Sequence, residues 1–405
     1  MKKSLMIVLS YYFVQGVLHN LGHVVTPAYV QSEGIPNYMF GFFFSAMSLG
    51  LLIGAPIWGV LGDRKSKRWF VVLGLVGYSF GQVLFVSTNH LVLMTFFRFL
   101  SGFSVSAAVT LLLSHVIALS PKEERTKYLS LSAALLALGT TVGYLIGGFL
   151  GDYMLVEVFY IQGALNLLYA LYVFFTLKDQ GQANTQKTRF FYHLKEAAKL
   201  DRSLLIFLLA LTLATIAATN MTRYVDAYIT IDLGRSTSTL GVFVMITGIV
   251  GILTNFLVVP YLARFKKDFM IMKWLQVASA ITIFIIFRSS NVMLMLYTLY
   301  MFYIVLKSVF QPLEQNYISL NAKEEKYGSI MGVRQTFFSI GMVLGPLFAG
   351  FIYDYNPRLV FDISAMMFVL AFVLMVLSEK AMKRKNFGEG STTVERLDSI
   401  EYKPT

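Results

Sequence analysis

The sequence predicts an all-α membrane protein with twelve transmembrane helices in two pseudo-symmetric six-helix bundles. Three observations carry that prediction. Of 405 residues, 56% are hydrophobic and only 14% charged, whereas soluble domains carry about a quarter charged residues. The apolar residues fall into twelve runs, each long enough for the roughly 20 helical residues that cross a hydrocarbon core. The chain also repeats itself: a shift of 202 residues superposes Gly139 on Gly341, Gly143 on Gly345, Gly148 on Gly350, Phe149 on Phe351, Asp152 on Asp354 and Tyr153 on Tyr355.

The runs cover residues 5–30, 39–61, 70–88, 91–119, 128–150, 155–177, 203–230, 238–263, 269–287, 291–320, 327–352 and 358–378. The first follows Lys2 and Lys3 as a signal peptide would, but it continues through Gly16, His19 and Gly22 without a clear cleavage site and is read as a retained helix. A polar stretch separates the sixth run from the seventh. The expected organisation is therefore an N-terminal bundle over 1–177, a cytoplasmic linker over 178–202, a C-terminal bundle over 203–380, and a disordered tail over 381–405. A second echo pairs Ala28, Tyr29 and Gly34 with Ala227, Tyr228 and Gly234. Six plus six helices in two parallel halves form units that can rock about a shared midplane site.

Lysine and arginine fix the orientation. Arg64, Lys65, Lys67 and Arg68, then Lys122, Arg125 and Lys127, the linker, Arg264, Lys266 and Lys267, Lys323 and Lys326, and Lys380, Lys383, Arg384 and Lys385 all fall on one side. The other side holds only Arg235, Arg288 and Arg358. Both termini are expected in the cytoplasm of a multi-pass cell-membrane protein. The net charge of +12 then reflects topology and contact with anionic lipid headgroups, not a nucleic-acid partner.

Composition excludes much chemistry. With no cysteine, disulfides, thiolate metal sites and a cysteine nucleophile are ruled out. His19 and His23 have a spacing found in zinc sites, but no third ligand adjoins them and no HExxH occurs, so no metal or other cofactor is expected. No GxxxxGK[ST] sequence is present, which disfavours direct ATP drive. Nothing resembles a nucleophile with its base, and an enzyme is not expected.

Ionisable groups inside spans cost about 2.5–3.5 kcal/mol each on insertion scales, so they are functional candidates. They are His19, His23, Arg98, His115, Arg223, Asp226, Lys307, Glu314 and Arg334. Lys307, Gln311 and Glu314 fall on one stripe of the tenth span, and Gln15, His19 and His23 on one stripe of the first. Glu314 is the first candidate for carrying a proton, with Asp226 second; Arg223, three residues before Asp226, is placed to pair with it. Arg98, a lone guanidinium in a membrane helix, needs an acidic or carbonyl partner. Gln15, His19, His23, Lys307, Gln311 and Arg334 are expected to line a substrate cavity. Gly139, Gly143 and Gly147, four apart, offer a smooth face for a neighbouring helix.

Several motifs resemble those of the major facilitator superfamily. GVLGDRKSKR, Gly59 to Arg68, is similar to its signature loop, with Ser66 where glycine is usual. RFLSG, Arg98 to Gly102, resembles the Arg-x-x-x-Gly motif of proton-coupled members, which implies a proton-coupling role for Arg98. GTTVGYLIGG, Gly139 to Gly148, resembles the antiporter motif with Tyr144 in place of proline, and its copy GMVLGPLFAG keeps Gly341, Gly345 and Pro346 as helix-packing positions. The last spans are similar to those of bacterial multidrug and tetracycline efflux carriers. The resemblance implies a gate at Asp63, Arg64 and Arg68. It also implies a monomeric antiporter that exports lipophilic or amphipathic small molecules in exchange for protons. Excess positive charge among the intramembrane groups points to a rival, proton-coupled uptake of a polar or anionic metabolite such as a sugar or organic anion. A non-transporting receptor is a third possibility.

Overall fold

The computed structural model describes residues 2–64, 66–121, 124–178, 200–321 and 327–388. Most of the expected linker and residues 389–405 of the expected tail lie outside that set. Among the described residues, twelve helices are long and apolar enough to cross a membrane, and there is no strand. In the first half they are α1 Lys2–Ser32, α2 Tyr38–Arg64, α3 Lys67–Val86, α4 Leu91–Leu119, α5 Arg125–Gly151 and α6 Glu157–Thr176. In the second half they are α7 Arg202–Asp232, α8 Thr237–Ala263, α9 Asp268–Arg288, α10 Val292–Leu320, α11 Tyr327–Tyr355 and α12 Pro357–Gly388. The face where α1 begins and α12 ends is called the terminal face below, and the opposite one the loop face.

The outer surface is what lipid requires. Trp69, Phe175, Phe256, Leu257 and Trp274 are exposed, while Gln15, His19, Arg98, Asp226, Glu314 and Arg334 are buried. Every backbone polar group in hydrocarbon must be satisfied within its own helix, which is why long helices are the solution. Three spans depart from a regular helix, among them α8, whose Thr254–Val258 turn is π-helical. The last turn of α7, Tyr228–Asp232, is π-helical. That inserts one extra residue, which explains why the Ala28/Ala227 echo has an offset one shorter than Gly34/Gly234. Both glycines adopt left-handed φ, +62° and +58°, at matching chain reversals. The span α10 breaks at Thr298 (φ −115°, ψ −80°), where the sequence alone reads as continuous. α12 runs to Gly388, so the first residues assigned to the tail continue a helix.

Within the first half α1 lies along α5, α2 along α4, and α3 against α4 and α6; within the second α7 lies along α11 and α12, and α9 along α10 and α12. The halves meet through α5 with α8 and α2 with α11, contacts related by the same pseudo-twofold that generates the repeat. The glycines of α5 make the intimate α1 contact possible. A Cβ on Gly139 would lie 2.2 Å from the Phe13 carbonyl oxygen, on Gly143 2.4 Å from that of Val17, and on Gly147 2.3 Å from that of Leu21. Their repeats Gly341 and Gly345 face α7 at Thr212, Thr215 and Ile216. The glycine face is thus a packing surface inside each bundle.

Gly143→Val should cost about 1 to 3 kcal/mol by overpacking backbone that cannot yield. Gly59, whose added Cβ would meet only Thr110 Cγ2 at 3.7 Å, should accept alanine. Thermal denaturation and monodispersity of the two purified variants check this: Gly143→Val falls and Gly59→Ala matches the parent.

Candidate functional site

Hydrogen bonds between described residues of the two halves all lie toward the loop face. Thr237 Oγ1, at the first turn of α8, donates to Gly148 O at 2.8 Å and to Asp152 Oδ1 at 2.7 Å, and the Ser238 amide donates to the same oxygen at 3.1 Å. Asp152, just past α5, therefore caps the start of a helix in the other half, where amide groups and the helix dipole favour a carboxylate. Gly148 and Gly241 let the two backbones meet. Burial alone would raise the Asp152 carboxyl, but hydrogen bonds from Ser238 and Thr237 outweigh it and hold the group below the ordinary carboxylate range. On the pseudo-equivalent side the contact is mainly aromatic. Tyr38 stacks on Phe351 at 5.6 Å, Phe42 meets the edge of the same ring, and Ser45 Oγ donates to Val343 O at 2.7 Å. Gly41 admits the Pro346 carbonyl, which also accepts from Tyr224 Oη at 2.8 Å.

Below this closure lies a cavity of about 230 Å³, lined by α7, α10 and α11. Arg223, Lys307, Gln311, Glu314 and Arg334 contribute its polar wall, and Leu211, Phe310, Phe338 and Met342 its apolar wall. Arg223 stands at the cross-half contacts, and Lys307, Gln311, Glu314 and Arg334 lie on their terminal side. Gln311 is exposed, so the cavity is reached from the terminal side.

Glu314 is fully buried and locked to Arg334: Nε donates to Oε1 at 2.9 Å and Nη2 to Oε2 at 2.6 Å. This bidentate pair neutralises two charges of the wall. Asp226 behaves differently. It is 5% exposed, and Arg223 and Lys307 are the cations that act on it, yet its carboxylate forms no ion pair with either. Arg223 turns across the seam instead, donating to Tyr144 Oη at 3.2 Å with its guanidinium 4.3 Å over the Phe44 ring. Lys307 Nζ donates to Thr222 Oγ1 at 2.7 Å. The expected Arg223–Asp226 pair along α7 is thus replaced by cross-half contacts.

The remaining candidates lie elsewhere. Arg98 sits inside the first bundle, donating to Gln82 Oε1 at 3.1 Å and Thr26 Oγ1 at 3.0 Å, with the Phe85 ring 3.8 Å from its guanidinium carbon. Neutral acceptors and aromatic faces accommodate this cation, and it does not line the cavity. His19 lies against Tyr78 and His23 against Phe44. Gln15, His19 and His23 each bury a polar side-chain atom without a hydrogen-bond partner. Phe44 thus has His23 and Arg223 as ring neighbours from opposite halves. Of the signature loop, the side chain of Asp63 lies outside the described residues and Arg64 is exposed. Arg68 is held 5.1 Å over Phe174 of the same bundle. Ser66 caps α3, accepting from the Trp69 amide at 3.3 Å, which gives the departure from glycine a use. Sequence reading missed Asp152, Phe44, Tyr144 and Thr222. The Asp152/Asp354 repeat was a visible signal, as was Tyr144 in place of the motif's proline; Phe44 and Thr222 carried none.

Two six-helix bundles related by a pseudo-twofold, with a charged cavity inside the second that reaches their seam at Arg223, have the architecture of a membrane transporter. The Major Facilitator Superfamily matches residues 5–274 and 208–400, and the chain belongs to that family. It is 23% identical over 365 residues to the quinolone resistance protein NorA of Staphylococcus aureus (strain MSSA476), covering 89% of this chain and 92% of that protein. It is 22% identical over 400 residues to multidrug resistance protein 2 of Bacillus subtilis (strain 168), covering 94% and 98%. Among solved structures, a bacterial homologue of the human lysosomal transporter Spinster, inward-facing and unoccupied, superposes with a TM-score of 0.76 at 13% identity, covering 95% and 98%. A mutant of the nucleoside transporter NupG gives 0.77 at 14%, covering 93% and 99%.

Because the Asp152 carboxyl is depressed by its bonds in the closed state, closure gains from it above the ordinary carboxylate range. That gain is lost as pH falls through the lowered value. Asp152→Asn should favour loop-face opening at neutral pH by about two- to fivefold, the 0.3–1 kcal/mol of a carboxylate at an exposed helix start. Distances between spin labels at Glu33 and Ser290, both exposed, should lengthen in the variant, and in the parent only in acid.

Proposed function

We propose that this transporter exports lipophilic or amphipathic small molecules in exchange for protons, by alternating access between its two bundles. The termini are cytoplasmic on this reading, so the cavity described here opens to the cytoplasm and is closed to the outside. The observation that carries the proposal is Asp226: a buried carboxylate at the seam, beside two cations and paired with neither. A carboxylate so placed accepts a proton when the seam opens on one side and gives it up on the other. Glu314, on the cavity wall, is the second acidic group, and Arg334 holds it in place in this state. The names of the bacterial relatives, a quinolone resistance protein and a multidrug resistance protein, support export and an amphipathic substrate. The mixed wall of Phe310, Phe338 and Met342 beside charged groups suits such a molecule.

In proteoliposomes with an acid-loaded lumen, addition of a lipophilic cation such as tetraphenylphosphonium should release lumenal protons. One pH unit, about 1.4 kcal/mol, should sustain about a tenfold substrate gradient. Asp226→Asn should abolish that gradient while leaving substrate exchange, with a smaller loss of thermal stability than Glu314→Gln, because no hydrogen-bonded pair is broken. Glu314→Gln strands the buried Arg334 and should cost about 3 to 5 kcal/mol of stability as well. Proton release that persists in Asp226→Asn would overturn the assignment.

A further inference from the structure

The charges of the cavity do not balance, and the imbalance selects a second kind of cargo. Arg334 is consumed by Glu314 through two short bonds. Arg223 and Lys307 both line the cavity, but the groups that receive their hydrogen bonds are the neutral hydroxyls of Tyr144 and Thr222. Asp226 is the acidic group that acts on both, and it stands behind the wall, outside the cavity lining. Two cations against one carboxylate leave one positive charge at the cavity's closed end. Removed from water, such a charge is costly until an anion meets it. The guanidinium offers a planar donor fork and the ammonium a compact point charge, the two modes by which carboxylates, sulfonates and phosphates are held. Leu211, Phe310, Phe338 and Met342 supply the surface for an apolar body.

We infer that the cavity also takes amphipathic organic anions, seated on Arg223 and Lys307, and that these travel together with a proton. The coupling follows from linkage. The ionisable groups around Arg223 and Lys307 are Asp226 behind the wall, Glu314 and Arg334 on it, Tyr300 from α10, Tyr144 from α5, His23 from α1 and, through its charge alone, Arg98 from α4. A proton arriving on Asp226 removes the competitor for Arg223 and Lys307, so it strengthens anion binding; by reciprocity the anion strengthens proton binding. A lipophilic cation has the opposite sign and displaces the proton. One cavity thus exchanges cations against protons and carries anions with them. The inference rests on the cavity being the substrate site, as proposed above, but not on the direction of export.

Three dansyl compounds of permanent charge type test it: the free sulfonate, the neutral sulfonamide and a trimethylammonium derivative. Each is titrated by fluorescence against the full-length protein in nanodiscs of zwitterionic lipid, with empty nanodiscs subtracted. The sulfonate should bind about tenfold more tightly than the sulfonamide, as one charge-assisted contact implies. That preference should vanish in Lys307→Gln and persist in Lys307→Arg. Sulfonate affinity should rise as pH falls, and that of the trimethylammonium compound should drop. In proteoliposomes a sulfonate gradient should draw protons in its own direction. Equal binding of all three, or tighter binding of the cation, overturns the anion site and leaves the cavity as the substrate site. Binding of none removes the cavity as a substrate site, and the proposed function with it.

Discussion

Ionisable side chains are tolerated in hydrocarbon only where protein encloses them, and the architecture of this molecule follows from that constraint. Its spans hold arginine, lysine, aspartate and glutamate at positions that would be prohibitive if they faced lipid. The solution is two bundles with apolar outer surfaces and polar interiors. Arg98 is enclosed within the first bundle by neutral acceptors and aromatic faces. Glu314 and Arg334 are enclosed as a pair, while Arg223, Asp226 and Lys307 gather where the bundles meet. Of these three groups the last alone has unequal charge and partners drawn from both halves, so its electrostatic balance depends on how the halves sit.

Close helix approach makes the enclosure possible. Glycines on α5 and α11 bring these helices against α1 and α7 inside each bundle, while neighbouring glycines, Gly148 and Gly241 among them, admit the other half. The same two helices thus serve both as internal struts and as the moving boundary. This dual role accounts for the long internal repeat at that part of the chain: the pseudo-twofold requires both copies to meet the same two demands.

The architecture was legible because lipid simplifies the code. Apolar runs mark spans, basic loops mark a side, and twelve expected helices correspond to twelve observed ones, with differences at the ends and at Thr298. The candidate site was legible only as an inventory. Charges in spans can be counted, and Glu314, Lys307, Gln311 and Arg334 did fall on one cavity. Which charge answers which is a matter of tertiary direction. Arg223 and Asp226 lie three residues apart on one helix, the spacing of a pair, yet Phe44 and Tyr144 from the other half offer Arg223 an aromatic face and a hydroxyl, and it takes those. A neutral residue such as Thr222 has no sequence signature when its role is to receive a cation's hydrogen bond, and Tyr144 showed only as a departure from proline in a motif. Asp152 did have one, since it recurs as Asp354, but its bond to a helix start in the opposite half depends on the fold.

The two clasps at the loop face are built from different materials. Asp152 on the start of α8 is a polar clasp, sensitive to acid and salt. Tyr38 and Phe42 on Phe351 form a greasy one, indifferent to both. Acid weakens one edge of the lid and leaves the other seated, so the first movement away from this state is a swing about the aromatic edge, not a parallel lift. The door has a latch on one side and a hinge on the other, although the sequence repeat that built it treats the two sides as equals.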